Sequence, residues 1–195
     1  MYELTPRMVQ SFKNYLIKFH ELFGGGRCAA WQQEELIVKA IKSDTQAQHQ
    51  VFWTEAGHDD HADIRVRVNG GISPIQIKSG SIKNNKLILS GYRLGRFHGD
   101  LEAITGYLNH VDSDVISVPY YQINGTEGRI HVYEICYVGI LVLRCLQANE
   151  WGKAGNNYVQ VNKYDVEFSI RPSMSWQVWW AVPLSVIKRT NEIRI

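Results

Sequence analysis

The stretch from Asp63 to Ser79 restricts the fold more than any other part of the chain. Ile64, Val66 and Val68 alternate with Arg65 and Arg67, the period-two pattern of a strand with one buried face. Asn69-Gly70-Gly71 follows, residue types that accept positive φ, and predicts a tight reversal. The return strand, Ile72 to Ser79, puts Ile75 and Ile77 on one face and Gln76 and Lys78 on the other. In a hairpin the start of one strand lies beside the end of its partner. Asp63 is therefore expected near Lys78, despite their separation along the chain.

Around this hairpin the pattern alternates between helix and strand. Thr5-Pro6 reads as a helix start, a capping hydroxyl before proline. Val9, Phe12, Leu16, Phe19 and Phe23 then recur at helical spacing. Gly24-Gly25-Gly26 reads as a flexible link, because a phosphate-cradling loop needs a preceding strand and a Lys-Ser/Thr ending. A second helix is expected from about Ala29 to Lys42, with Trp31, Glu34, Ile37, Val38 and Ile41 on one face. Val51 to Thr54 reads as a short buried strand and Ala56 to His61 as a polar turn. Gly80 to Gly99 reads as loop, and Asp100 as the cap of a helix running to about His110. Val115–Ile123 (interrupted by Pro119), Ile130–Val138, Tyr158–Val161, Val166–Ile170 and Trp176–Val182 read as strands. The expected fold class is α/β (mixed α+β): a central mixed sheet flanked by helices, with a β-rich C-terminal part. A chain of 195 residues fits a single domain.

Charge and cysteine usage narrow the classes. The net charge of +2 is small for a protein that coats nucleic acid, although a local basic cluster remains compatible with it. The three cysteines, Cys28, Cys136 and Cys145, are odd in number and form no C-x-x-C pair. A disulfide framework or cysteine zinc site is not expected, and a reducing compartment is. Cys28 lies near a helix start, where a thiolate can be stabilised, but burial is the simpler reading. The N-terminus shows no basic region followed by an apolar run, and the longest apolar stretch, Val138 to Leu143, is too short for a bilayer. The expectation is a cytoplasmic protein without a membrane partner.

The side chains that the hairpin gathers suit hydrolysis of a phosphodiester. The phosphate repels hydroxide, and a divalent metal offsets that charge and acidifies bound water. Mg²⁺ prefers oxygen ligands. Asp63, the Gln76 side-chain oxygen and the Ile77 carbonyl supply them. Lys78 can hold the attacking water or contact the phosphate oxygen.

This arrangement resembles the PD-(D/E)XK nuclease superfamily. Helix, three antiparallel strands, helix and strand is the order of that core, and Gln76-Ile77-Lys78 is similar to its Q-x-K variant. Asp63 matches the metal-binding aspartate. Glu34, followed by Ile37, Val38 and Ile41, matches the glutamate often found on the first core helix; Glu35 fits less well, because Lys39 takes an apolar position. Ala62 stands where the family name has proline, and Gln76 leaves one negative charge fewer at the metal. The resemblance covers residues 28–122, leaving 1–26 as an N-terminal helix and glycine link and 123–195 as a β-rich elaboration.

The resemblance implies a restriction-endonuclease-like core, Mg²⁺ as cofactor and double-stranded DNA as substrate. It implies catalytic roles for Asp63, Gln76, Lys78 and Glu34, and metal ligation by Asp63, Gln76 and Ile77. A type II restriction endonuclease is the nearest match. A cut through both strands implies a homodimer, or a monomer that nicks each strand in turn. Other nucleases on this core, namely Holliday-junction resolvases and homing or modification-dependent endonucleases, are alternatives, as is a DNA-binding module without catalysis. Lys83, Lys86, Arg93 and Arg96, on the expected loop before a helix N-terminus, form a candidate phosphate-gripping edge. His58-Asp59-Asp60-His61 offers a competing zinc-hydrolase reading, but its spacing is not the helical H-E-x-x-H pattern, and a polar loop is favoured. Lys153, Asn156, Asn157, Lys163, Arg171 and Gln177 lie among aromatics, and this region is expected to help choose the DNA sequence.

Overall fold

The computed structural model describes residues 2–24, 26–44, 50–53, 62–68, 70–126 and 128–195. In chain order the helices are α1 (Pro6–Phe23), α2 (Ala30–Ser43) and α3 (Leu101–His110). The first strands are β1 (Gln50–Trp53), β2 (Ile64–Val68), β3 (Gly71–Lys78), β4 (Gly80–Lys83) and β5 (Lys86–Arg93). Then come β6 (Asp114–Ser117), β7 (Tyr120–Asn124), β8 (Arg129–Tyr133), β9 (Cys136–Val138) and β10 (Gly152–Ala154). The last are β11 (Asn157–Val161), β12 (Glu167–Arg171), β13 (Gln177–Pro183), β14 (Lys188–Arg189) and β15 (Ile193–Arg194). The fold is mixed α+β. The chain forms two compact units: residues 1–79, 113–137 and 189–195, and residues 80–112 and 138–188. Among the described residues no helix is long and apolar enough to cross a membrane.

In the first unit the Thr5 hydroxyl accepts from Met8 N at 3.1 Å, and Pro6 opens α1 as expected. The buried stripe is Met8, Phe12, Leu16 and Phe19; Phe23, expected to continue it, is exposed, because the stripe has drifted round the helix by the last turn. Ala29 lacks a side-chain acceptor at the start of α2, and Gln32 Oε1 instead accepts from Ala29 N at 2.7 Å. α2 buries Gln33, Ile37, Val38, Ala40 and Ile41, while Trp31, expected on the same face, is exposed.

These helices pack with Ile64, Val66, Ile75, Ile116 and Val118 into one core. The sheet runs β1-β2-β3-β6-β9-β14. β1, β2 and β3 pair antiparallel, with Ile64 opposite Ile75, and β3 pairs parallel with β6. The expected mixed sheet is therefore present. Pro119 divides the expected strand Val115–Ile123 into β6 and β7, as a missing N–H would. The expected strand Ile130–Val138 is likewise two, β8 and β9. β15, β8 and β7 form a smaller sheet.

The second unit corrects the loop expected over Gly80–Gly99. This stretch is mostly the hairpin β4–β5, turning at Asn84 and Asn85, whose φ angles are 49° and 58°. Asparagine tolerates this left-handed backbone, and two such residues make the turn that suits a hairpin. Leu87 and Leu89 supply the alternating buried positions. The sheet order is β10-β11-β12-β13-β5-β4, each pair antiparallel. One face buries Leu87, Leu89, Phe168, Ile170, Val178, Trp180 and Val182. α3 belongs to this unit, capped by Asp100 Oδ1, which accepts from Glu102 N and Ala103 N at 3.0 Å. Residues 80–112 thus leave β3 and return as β6, but they group with 138–188 and not with the mixed sheet.

Candidate active site

The end of the β2–β3 hairpin gathers the expected group. Asp63 N donates to Ile75 O at 3.0 Å, one step beyond the last pair of β2. There the carboxylate takes over from the ladder, and Asp63 Oδ2 accepts from Ile77 N at 2.6 Å. A backbone donor at the end of a strand is thereby satisfied, and the carboxylate is fixed in place. Asp63 is half-buried.

Gln76 and Lys78 point away from the helix-packed face, following the alternation of β3. In the parallel pairing with β6, Gln76 lies beside Val115 and Lys78 beside Ser117. Gln76 is only 7% exposed, and its Oε1 has no hydrogen-bond partner among the described residues. Ser117 is fully buried, and its hydroxyl oxygen likewise lacks one. A buried polar atom without a partner costs about 1–3 kcal/mol. Burial pushes the Lys78 ammonium below its ordinary range, and the nearby Asp63 carboxylate opposes that shift. A desolvated lysine beside a fixed carboxylate and an unpaired amide oxygen is the type of group found at functional sites.

The oxygens present fit a hard divalent cation. They are the second carboxylate oxygen of Asp63, the orphan Gln76 Oε1 and the Ile77 carbonyl. Among the described residues no group of three His, Cys, Asp or Glu side chains is placed to hold a metal, and the oxygens named here include one carboxylate. Such a set suits a cation that keeps several of its waters.

Glu34 is half-buried on α2, whose buried residues pack in the core on the Ile64 and Ile75 face. The structure brings together Asp63, Gln76, Ile77 and Lys78. His58, Asp59, Asp60 and His61 lie outside the described residues. Lys83, Lys86, Arg93 and Arg96 belong to the second unit. Lys83 and Arg93 are exposed, Lys86 pairs with Glu167 at 3.6 Å, and the Arg96 guanidinium lies over the Tyr107 ring at 4.5 Å. Cys28 and Cys136 are buried, which pushes their thiols up to about 11 and about 12; neither is poised as a nucleophile.

Sequence reading missed Ser117 and two further clusters. Ser117 interrupts the apolar run Val115, Ile116, Val118, and that was its available signal. Asp114, also buried, accepts from Ser73 Oγ at 3.4 Å and from Tyr137 Oη, tying the start of β6 to β3. The His20 and His131 rings lie tilted against each other with centroids 4.1 Å apart, and Tyr120 Oη lies 2.9 Å from His131 Nδ1. No family model matches the chain, and neither the curated proteins nor the solved structures compared with it include a match.

Proposed function

We propose that the chain is a metal-dependent endonuclease with a restriction-endonuclease-like core, most similar in kind to a type II restriction enzyme that cuts double-stranded DNA at a specific sequence. The observation that carries this reading is the convergence of Asp63, Gln76 and Lys78 on one sheet face, with Gln76 Oε1 buried and unpaired. A buried acceptor without a protein partner calls for an explanation, and a bound cation supplies one. Asp63, Gln76 and the Ile77 carbonyl would hold the cation, and Mg²⁺ bound there supplies charge neutralisation and an acidified water. Asp63 also orients Ile77 through its backbone hydrogen bond. Lys78 holds its proton close to the position where negative charge develops on the phosphate, and its burial strengthens that contact. The Ile77 side chain anchors the strand on the core side. A cut through both strands fits a homodimer or successive nicking by one copy.

The test is incubation of the purified protein with long unmodified and methylated DNA, with Mg²⁺ or EDTA, beside Lys78→Ala. Discrete bands that need Mg²⁺ and vanish in Lys78→Ala are expected. A folded protein that cuts none of these DNAs in Mg²⁺ would remove the restriction-enzyme reading.

A further inference from the structure

The sheet of the second unit buries one face and leaves the other half-exposed. On that open face, Arg171 of β12 stands opposite Gln177 of β13, and Gln177 stands opposite Arg93 of β5. Two segments far apart in sequence thus form one row, Arg–Gln–Arg. At the usual spacing between strands the row is about 10 Å wide. One step along, Trp179 lies between Ser169 and Ser90. The Arg171 guanidinium sits over the Trp179 ring at 4.5 Å. That contact holds the cation beside the ring.

Charge on this sheet is one-sided. Its strands carry Lys83, Lys86, Arg93, Lys153 and Arg171, with Glu167 as their one acid. Glu167 is engaged by Lys86 at 3.6 Å. Among the described residues neither the Arg93 nor the Arg171 side chain has a hydrogen bond or ion pair. Arg171 Nε and Trp179 Nε1 are buried N–H groups without an acceptor. A fold that needed these arginines for stability alone would be expected to pair them with carboxylates. The row instead exposes the Arg93 side chain and part of those of Arg171 and Gln177 to whatever approaches the face.

We infer that this face is a recognition surface for duplex DNA, with Arg93 and Arg171 contacting backbone phosphate or guanine edges and Gln177 contacting a base edge. The inference rests on the nuclease reading for its choice of DNA. Arginine pairs bidentately with guanine or phosphate, and glutamine with adenine. A row about 10 Å wide also suits the major groove, which is about 12 Å across and admits β-structure.

The experiment measures binding of labelled duplexes of varied sequence in EDTA, over a salt series, so that no cutting intervenes. Arg93→Ala/Arg171→Ala should weaken binding at least ten-fold and lower the salt slope by roughly two. Gln177→Ala should change the ranking of sequences and leave the slope unaltered. Arg93→Lys/Arg171→Lys should restore the slope but not the ranking, because lysine lacks the planar fork. Circular dichroism checks that each variant folds, and Lys18→Ala on α1 serves as a surface-charge control. Binding by the folded double alanine variant within two-fold of wild type overturns the inference, as does a wild-type protein that binds no duplex at low salt. Wild type that binds through this row but never cuts in Mg²⁺ keeps the recognition face and removes the nuclease reading. Cutting at discrete sites by both wild type and the double alanine variant does the reverse.

Discussion

The two large sheets treat their polar side chains in opposite ways. The mixed sheet buries Gln76 and Ser117 and half-buries Lys78 on the face away from its helices, and the first two carry atoms without partners. The antiparallel sheet buries an apolar face and keeps Arg93, Gln177 and Arg171 partly exposed. Desolvating a polar group is costly, and it alters how that group titrates. Leaving an arginine at a surface costs little and leaves its donors ready for a partner. The first treatment suits tuned chemistry and the second suits reversible recognition.

The largest expected effect tests the buried side of this contrast. Lys78→Met should lower Mg²⁺-dependent cutting by about 10²–10³-fold, the scale of losing an electrostatic stabiliser of the transition state. It should also stabilise the protein, by about 1 kcal/mol. The sign follows from linkage. A lysine whose pKa is lowered by folding binds protons less readily folded than unfolded, so at neutral pH its burial opposes folding. Thermal melts beside cleavage assays check both halves. A Lys78→Met variant that is less stable and fully active would break the contrast.

Core substitutions come next. Ile75→Ala removes a fully buried side chain between the helices and β3, and should cost about 2–5 kcal/mol in urea denaturation. Gly91→Ala probes the other sheet by overpacking. An added Cβ would sit 2.6 Å from Val178 Cγ1 and 2.9 Å from Trp180 Cζ2, so a loss of about 1–3 kcal/mol is expected. Equal and negligible losses at both positions would mean that these two faces are not packed as described.

The smallest effect concerns His131. Burial, then the charges of His20 and Arg129, hold its pKa below the ordinary 6.5. Tyr120 and Gln122 face it from β7. Its neutral form is the one that the fold favours. The stability tied to it is full above pH 6.5 and declines as pH falls from there towards the folded value. His131→Gln should flatten the change in urea midpoint between about pH 7 and pH 5. An unchanged pH profile would show that this histidine is not held neutral.

Much of the candidate site was legible from local pattern. Alternation across Ile64–Val68 and Ile75–Lys78, with Gly70 between, implied a hairpin that brings Asp63 to Ile77 and Lys78. The hairpin at Asn84-Asn85 is not legible in the sequence, because two asparagines signal a turn less plainly than Asn-Gly, and Leu87 and Leu89 read as loop. Arg93 and Gln177 each looked suited to DNA, but their adjacency depends on the pairing of β5 with β13.

By itself the sequence determined where strands and helices form and which faces are apolar, because those properties depend on neighbours within a few residues. Only the tertiary structure decided that β6 lies parallel to β3, that Gln76 Oε1 and Ser117 are sealed from solvent, and that Arg93, Gln177 and Arg171 share a row. Desolvation and strand pairing arise between segments far apart in the chain, and local periodicity carries no record of which segments meet.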